Sequence, residues 1–196
     1  MIVIDLGGCV GVFTDEVLKN PEVTHVYCVE PLKVNYDHLE EKYKDEDRVS
    51  VFYCAISNFN GEAKFYKKQN PQGKTDYLSC AGSSLKSDKK NVTNKFDTVE
   101  VFTLEKFMLD NNIANVGILK VDTEGSEYDI IGSILDNIED FDKIYYEDHV
   151  RKVPSIRKDK ERIEKEIISR GIISKFFTQE HDGGTEDDYS PLKLEE

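Results

Sequence analysis

Two stretches of this 196-residue chain gather side chains that can do chemistry. The first reads Val3-Ile4-Asp5-Leu6-Gly7-Gly8-Cys9-Val10-Gly11, an apolar run that meets an acid and opens into glycines. Glycines there let the backbone turn tightly and approach a ligand, and a helix that follows offers free N–H groups. A dinucleotide fingerprint fails, because its glycine positions counted from Gly7 hold Gly7, Cys9 and Val12. No phosphate-cradling G-x-x-x-x-G-K-[ST] string exists, so D-x-G-x-x-x-G on Asp5, Gly7 and Gly11 remains. The second stretch runs from Leu119 to Glu127, with Glu147-Asp148-His149 further on. Asp122, Glu147 and His149 are candidates to hold an acceptor group and take its proton; His149 has a reference pKa of ~6.5, near neutrality. The same three could instead form an oxygen and nitrogen site for Mg²⁺ or Mn²⁺. Asp122 also suits a helix N-cap. Glu124 and Glu127 fall in a first helical turn, where acids favour the helix dipole; that suffices for Glu127 and leaves Glu124 open. Lys120 shares a strand face with Asp122. Inside an apolar run it calls for a salt bridge or, alternatively, a catalytic role.

These residues need elements to hold them. Strand-like runs fall at residues 1–6, 24–30, 48–56, 116–122, 143–148 and 172–177. Helical spacing falls between them, at 10–20, 33–44, 104–111, 124–138 and 156–170. Short apolar runs separated by helices predict βαβ units and a parallel sheet in a doubly wound α/β fold. Extra strands are predicted at 61–67 and 99–102, and a last one at 189–194. Residues 68–95 are polar without a clear period and read as a surface loop or a lid over an acceptor. In such a sheet, ligands bind at the carboxyl ends of the strands. Glu30 ends the second strand, 25 residues after Asp5, where a carboxylate can accept from both ribose hydroxyls. Topology alone puts Ala55 and Ile56 beside an adenine.

The Asp5-Gly7-Gly11 pattern resembles motif I of the class I methyltransferases, which bind S-adenosylmethionine (SAM). The segment Leu119-Lys120-Val121-Asp122-Thr123-Glu124-Gly125-Ser126-Glu127 resembles the signature of the FkbM family of those enzymes. Glu30-Pro31, Ala55-Ile56-Ser57 with Gly61, residues 101–104 and Glu147-Asp148-His149 fit the same family. The likeness covers residues 1–150 and implies a Rossmann-like fold of the class I SAM-dependent methyltransferase type. It implies that Asp5, Gly7, Gly8, Gly11, Glu30, Pro31, Ala55, Ile56 and Asp122 hold SAM. It further implies O-methylation of a sugar, nucleotide-sugar or glycan acceptor, with Asp122 and Glu147 or His149 at the acceptor and Lys120 close by. The family's usual segment before the first strand is missing, and the C-terminal third matches only in strand rhythm. The string at Asp122 differs from the [DNS]-P-P-[YF] of enzymes that methylate amino groups on DNA bases and glutamine.

Composition narrows the alternatives. Lys and Arg number 26 against 39 Asp and Glu, a net charge of −13. That balance speaks against a nucleic-acid partner, since phosphate contacts need a basic face. An RNA ribose or small-molecule methylase is a second reading, a non-catalytic binding module a third, and a nucleotide-sugar oxidoreductase a fourth that the failed fingerprint disfavours. Residues 86–95 hold four lysines against Asp88, and residues 151–170 eight bases against four acids. Either island could greet an anionic acceptor, although a solvated loop and a salt-bridged helix face are the preferred readings. No run of ~18 apolar residues spans a membrane. Cys9, Cys28, Cys54 and Cys80 form no CxxC pair and read as reduced thiols of a cytoplasmic protein. One domain over 1–196 is expected, with an acidic tail at 181–196. A first strand that begins at residue 1 suggests either a piece excised from a longer chain with a companion domain or a naturally minimal domain.

Overall fold

The computed structural model describes residues 1–69, 82–179 and 190–191. In chain order β1 (Ile2–Leu6), α1 (Val12–Val17), β2 (His25–Val29), α2 (Lys33–Tyr43) and β3 (Val49–Phe52) form the first half. Next come β4 (Ala55–Ser57), β5 (Gly61–Lys68), β6 (Val92–Thr103) and α3 (Leu104–Asp110). The second half holds β7 (Val116–Val121), α4 (Glu127–Ile134), β8 (Phe141–Glu147), α5 (Arg157–Arg170), β9 (Phe176–Gln179) and β10 (Ser190–Pro191). The main sheet has the order β10-β9-β8-β7-β1-β2-β3, parallel throughout except at β9–β10. A smaller sheet, β4-β6-β5, stands beside it.

The apolar runs explain the layers. β7 is buried along its whole length, as befits a parallel strand covered on both faces. Ile4, Leu6, Leu119 and Val121 pack with Ile130, Ile131 and Ile134 on one face. Val3, Val26 and Ile118 pack with Phe13, Val17 and Tyr145 on the other. The chain runs outward from β1 through β2 to β3, then returns across β1 to continue through β7 and β8. The order therefore reverses between β1 and β7.

Several predicted elements change. The run at 48–56 is two strands, broken at Tyr53 and Cys54: β3 pairs with β2, whereas β4 pairs with β6 in the small sheet. An apolar run reads alike in one sheet or across two, so periodicity could not see the break. Among the described residues of 68–95, β6 begins as early as Val92 and runs for 12 residues. Only two of its twelve side chains are buried, which erases the apolar alternation, and the ladder with β5 holds it instead. The helix predicted at 10–20 shrinks to α1, which starts behind Gly11 in the left-handed region at φ 82°. The one predicted at 124–138 starts at Glu127 and tightens into a 3-10 turn at Leu135–Asp140. Ser126 takes the N-cap position, so Asp122 caps nothing. The strand at 172–177 becomes a 3-10 turn, Ile173–Lys175, followed by β9. Cys9, Cys28 and Cys54 are free thiols. Cys80 and most of the acidic tail lie outside the described residues. Among the described residues no helix is long and apolar enough to cross a membrane.

Candidate active site

A cavity of about 520 Å³ opens where the carboxyl ends of β1, β2, β7 and β8 meet, at the reversal of strand order. Gly7, Gly8, Glu30, Pro31, Ala55, Ile56, Lys120, Asp122 and Glu147 all line it. Asp5, Gly11 and His149 do not.

The glycine turn forms one wall. The Gly7 and Gly8 amides both donate to the Val29 carbonyl, at 2.9 and 3.1 Å, which seats the turn on β2. Gly7 has φ +85°, and a Cβ there would stand 1.9 Å from the Asp122 carbonyl oxygen. At Gly8 a Cβ would stand 2.3 Å from Cys28 Sγ. Only glycine lets the backbone lie this close to both neighbouring strands. Cys9 follows with φ 49°, and its amide donates to Glu30 Oε2 at 2.8 Å. Glu30 Oε1 accepts from the Leu32 amide at 2.7 Å. Burial pushes the Glu30 carboxyl up to about 7, although the Leu32 and Cys9 amides favour its charged form. Each oxygen still has a lone pair for a further donor. Beside it Leu32, Asn35 and Phe65 complete a mixed wall with Ala55 and Ile56. Asn35 is buried, and its Oδ1 has no hydrogen-bond partner; Ser126 Oγ is orphaned in the same way.

Asp5 sits beneath this wall. It is fully buried and faces Lys120 in register on the neighbouring strand. Its carboxylate accepts from Lys120 Nζ at 3.0 Å and from Thr14 Oγ1 at 2.8 Å. Lys120 Nζ also donates to the Gly7 carbonyl at 3.1 Å and lies 3.6 Å from Asp122 Oδ2. Asp5 thus braces the glycine turn through Lys120 and does not itself reach the cavity. Gly11 lies aside as well, its carbonyl accepting from Tyr43 Oη at 2.9 Å.

The opposite wall is a knot of charge. His149 is 1% exposed. Its Nδ1 stands 3.0 Å from Glu127 Oε1, and its Nε2 stands 3.0 Å from Glu124 Oε2 and 3.1 Å from Glu147 Oε1. Glu127 Oε1 also accepts from the Thr123 amide at 3.1 Å and the Gly125 amide at 2.9 Å. Burial by itself would lower the His149 pKa, but Glu127 and then Glu124 and Glu147 raise it well above the ordinary value. An imidazole in that setting keeps its proton, so His149 is a poor general base as it stands. Burial pushes Glu147 up to about 7, and Asp122 and Glu124 add to the rise against His149. Glu124 falls to about 2, since His149, Lys89 and Lys152 outweigh its burial. Burial raises Asp122 against the pull of Lys120.

Residues 82–91 strap this wall down. Ser84 Oγ donates to the Glu124 carbonyl at 2.6 Å, and Lys86 pairs with Asp129 at 2.6 Å. Lys89 Nζ lies 3.1 Å from Glu124 Oε2 and donates to the Gly82 carbonyl at 2.6 Å. The Lys90 amide donates to the Lys152 carbonyl, and Asp88 accepts from the Ser155 amide and hydroxyl. Lys89 is only 6% exposed and departs from the solvated-loop reading of that lysine island, whereas Lys90 and Lys95 are exposed in keeping with it. The strap also holds Glu124 at φ 57°, a region non-glycine residues seldom occupy. The sequence reading missed Asn35, Ser126 and Lys89 as cavity residues. It also undervalued Glu127, whose first-turn position hid a buried partner just beyond β8. A histidine two residues beyond a strand-end acid was the one signal that could have pointed there.

Comparison with known proteins adds a family. The methyltransferase FkbM domain profile matches residues 5–173. No curated protein matches the chain. Among solved structures, the methyltransferase FkbM from Methylobacillus flagellatus KT is similar, with 17% sequence identity and a TM-score of 0.43. That alignment covers 69% of this chain and 29% of the other, so the chain spans under a third of that protein's length.

Proposed function

The chain belongs to the FkbM methyltransferase family, and from that premise we propose that this domain carries a methyl group from SAM to a hydroxyl of a sugar or glycan acceptor. The observation that carries the reading is the shared rim: Gly7, Gly8, Glu30, Asp122 and Glu147 line one cavity. Its volume, about 520 Å³, suits a small organic cofactor. The glycine turn that no Cβ would fit, and the orphaned Asn35 Oδ1 and Ser126 Oγ, are what a polar ligand in this cavity would explain.

SAM supplies a methyl on a positively charged sulfur, so an acid-lined pocket favours it. Glu30 offers its spare lone pairs to the ribose diol, while Leu32, Ala55 and Ile56 form the apolar walls for the base. Asp122, just past the end of β7, lines the cavity and would sit at the junction between cofactor and acceptor. In-line transfer requires the acceptor oxygen to be held in place and its proton to be taken by a nearby base. Asp122 and Glu147 both open onto that part of the cavity. His149 lies behind them and positions the carboxylates. Lys68, Lys89 and Lys152 line the same end, which favours a phosphorylated or nucleotide-linked sugar over a neutral one.

Calorimetric titration with SAM and with S-adenosylhomocysteine tests the cofactor site. Binding should weaken at least tenfold in Glu30→Ala, about 1.4 kcal/mol. Transfer of labelled methyl to a panel of sugars and nucleotide sugars tests the acceptor class. No heat and no thermal stabilisation from either ligand would overturn the reading.

A further inference from the structure

The buried ring of His149 meets its carboxylates in two different ways. On the Nδ1 side the contact to Glu127 is a proper hydrogen bond, and Glu127 Oε1 is itself fixed by two backbone amides. On the Nε2 side, Glu124 Oε2 and Glu147 Oε1 lie 3.0 and 3.1 Å away. Neither contact has hydrogen-bond geometry: His149 Nε2 and Glu124 Oε2 are both buried without a hydrogen-bond partner, the Lys89 ammonium 3.1 Å from Glu124 Oε2 being an ion pair only, and a cation bound here would replace the Nε2 proton. The ring nitrogen therefore points into a gap among carboxylates. Donor atoms of Asp122, Glu124 and His149 lie within 4.8 Å of one another around it.

We propose that Asp122, Glu124 and His149 form a binding site for a divalent cation, Mg²⁺ or Mn²⁺, with Glu147 at its edge. Three features of the geometry support this. Neighbouring ligands on an octahedral ion with bonds of about 2.1 Å are separated by roughly 3.0 Å, the spacing between Nε2 and Glu124 Oε2 and also between Nε2 and Glu147 Oε1 at the edge, while the Asp122 donor lies within 4.8 Å of the other two. A metal-bound histidine usually gives its other ring N–H to a carboxylate, which sets the tautomer and orientation; Glu127 stands in that place. Two carboxylates and one imidazole are a donor set for hard divalent ions rather than for a soft metal. Asp122 and Glu124 also line the cavity, so remaining coordination positions would face the acceptor. A cation there would polarise an acceptor hydroxyl. Its use in transfer rests on the methyltransferase reading, whereas cation binding does not.

The test is Mn²⁺ titration of the whole chain followed by electron paramagnetic resonance, with no SAM present. One saturable Mn²⁺ per chain is expected, with ¹⁴N modulation from an imidazole in spin-echo spectra. Glu124→Gln should weaken Mn²⁺ at least tenfold, and His149→Gln should remove the ¹⁴N modulation. Mg²⁺ should displace the Mn²⁺ signal. Absence of saturable binding at millimolar Mn²⁺, or binding without imidazole modulation in the wild type, would overturn the site and leave His149 as the cluster's own cation. The wild-type spectrum decides even where a variant fails to fold. A parallel SAM titration separates the two ideas: SAM binding without Mn²⁺ binding sinks only the cation site, and the reverse sinks only the cofactor reading.

Discussion

Glu30 makes the cofactor reading sensitive to pH. Its carboxyl is raised by burial from 4.5 to about 7. The folded protein thus holds a proton that the unfolded chain releases between these values. The stability this contributes is full below about pH 4.5 and is lost as pH rises through 7, amounting to about 3 kcal/mol at 1.36 kcal/mol per unit. Ribose hydroxyls donate to the ionised form, so binding should favour carboxylate and release a proton. With a pKa of about 7 the ionised fraction is roughly 0.1 at pH 6 and 0.9 at pH 8, so affinity should rise about tenfold across that window. SAM is an awkward probe, because its α-amino group titrates at about 7.7–8.0. Methylthioadenosine keeps the ribose and lacks that group. We expect its Kd by calorimetry to fall about tenfold from pH 6 to pH 8, with measurable proton release in buffers of different ionisation enthalpy. In Glu30→Gln the amide NH₂ must face either the Cys9 or the Leu32 N–H, so binding should be weaker at every pH and its profile flat. A wild-type Kd constant within about twofold over the window, or the same slope in the glutamine variant, would refute the assignment of the ribose to Glu30.

Three further variants examine the supports of the site. Asp5→Ala removes the buried carboxylate closest to the Lys120 ammonium, leaving the Gly7 carbonyl and the more distant Asp122, and denaturant unfolding should show a loss of about 3 kcal/mol. Adding Lys120→Met should recover a large part of that loss, and purely additive losses would contradict the pairing. Gly8→Ala drives a Cβ toward Cys28 Sγ and should abolish detectable SAM binding by calorimetry. Removing the obstructing sulfur with Cys28→Ala should restore some of it. Lys89→Ala frees Glu124 and the strap from each other. Steady-state kinetics should show a lower kcat/KM for the acceptor with the SAM Kd unchanged; equal damage to both would place the strap over the cofactor instead.

The nucleotide half of the site was legible in the sequence because it is built from local rules. A glycine turn must follow a strand, and an acid at the next strand end must sit beside it, so Gly7, Gly8 and Glu30 could be placed from spacing alone. Lys120 shows the same logic one step further. Its burial was plain from the apolar run, and a strand partner was expected, but register had to choose Asp5 over Asp122. The acceptor half was less legible. Glu124, Glu127 and His149 come from a loop, a helix start and the end of a different strand. Their meeting depends on β7 and β8 being adjacent and on the three residues between Val121 and Gly125 leaving the strand direction. No periodicity encodes that turn, and Glu124 takes its positive φ where its carbonyl accepts from Ser84 Oγ of the strap.

The strap carries a consequence for how the two halves are coupled. Residues 82–91 belong to the chain between β5 and β6, yet their polar contacts reach Glu124, Asp129, Lys152 and Ser155 on the far side of the cavity. Phe65 from β5 lines the same cavity beside Ala55 and Ile56, the wall proposed for the nucleoside. The small sheet therefore touches the proposed cofactor end through its apolar core and the proposed acceptor end through its polar strap. A buried carboxylate cluster is costly unless every charge is matched, and Lys89 is the match that arrives from outside the main sheet. Loss of the strap would leave Glu124 with His149 and the more distant Lys152 to balance it, and repulsion from Asp122 and Glu147 would then act against the closed arrangement. Residues 82–91, whose sequence looked least structured, thus brace the wall proposed for the acceptor, and they belong to any redesign of acceptor choice.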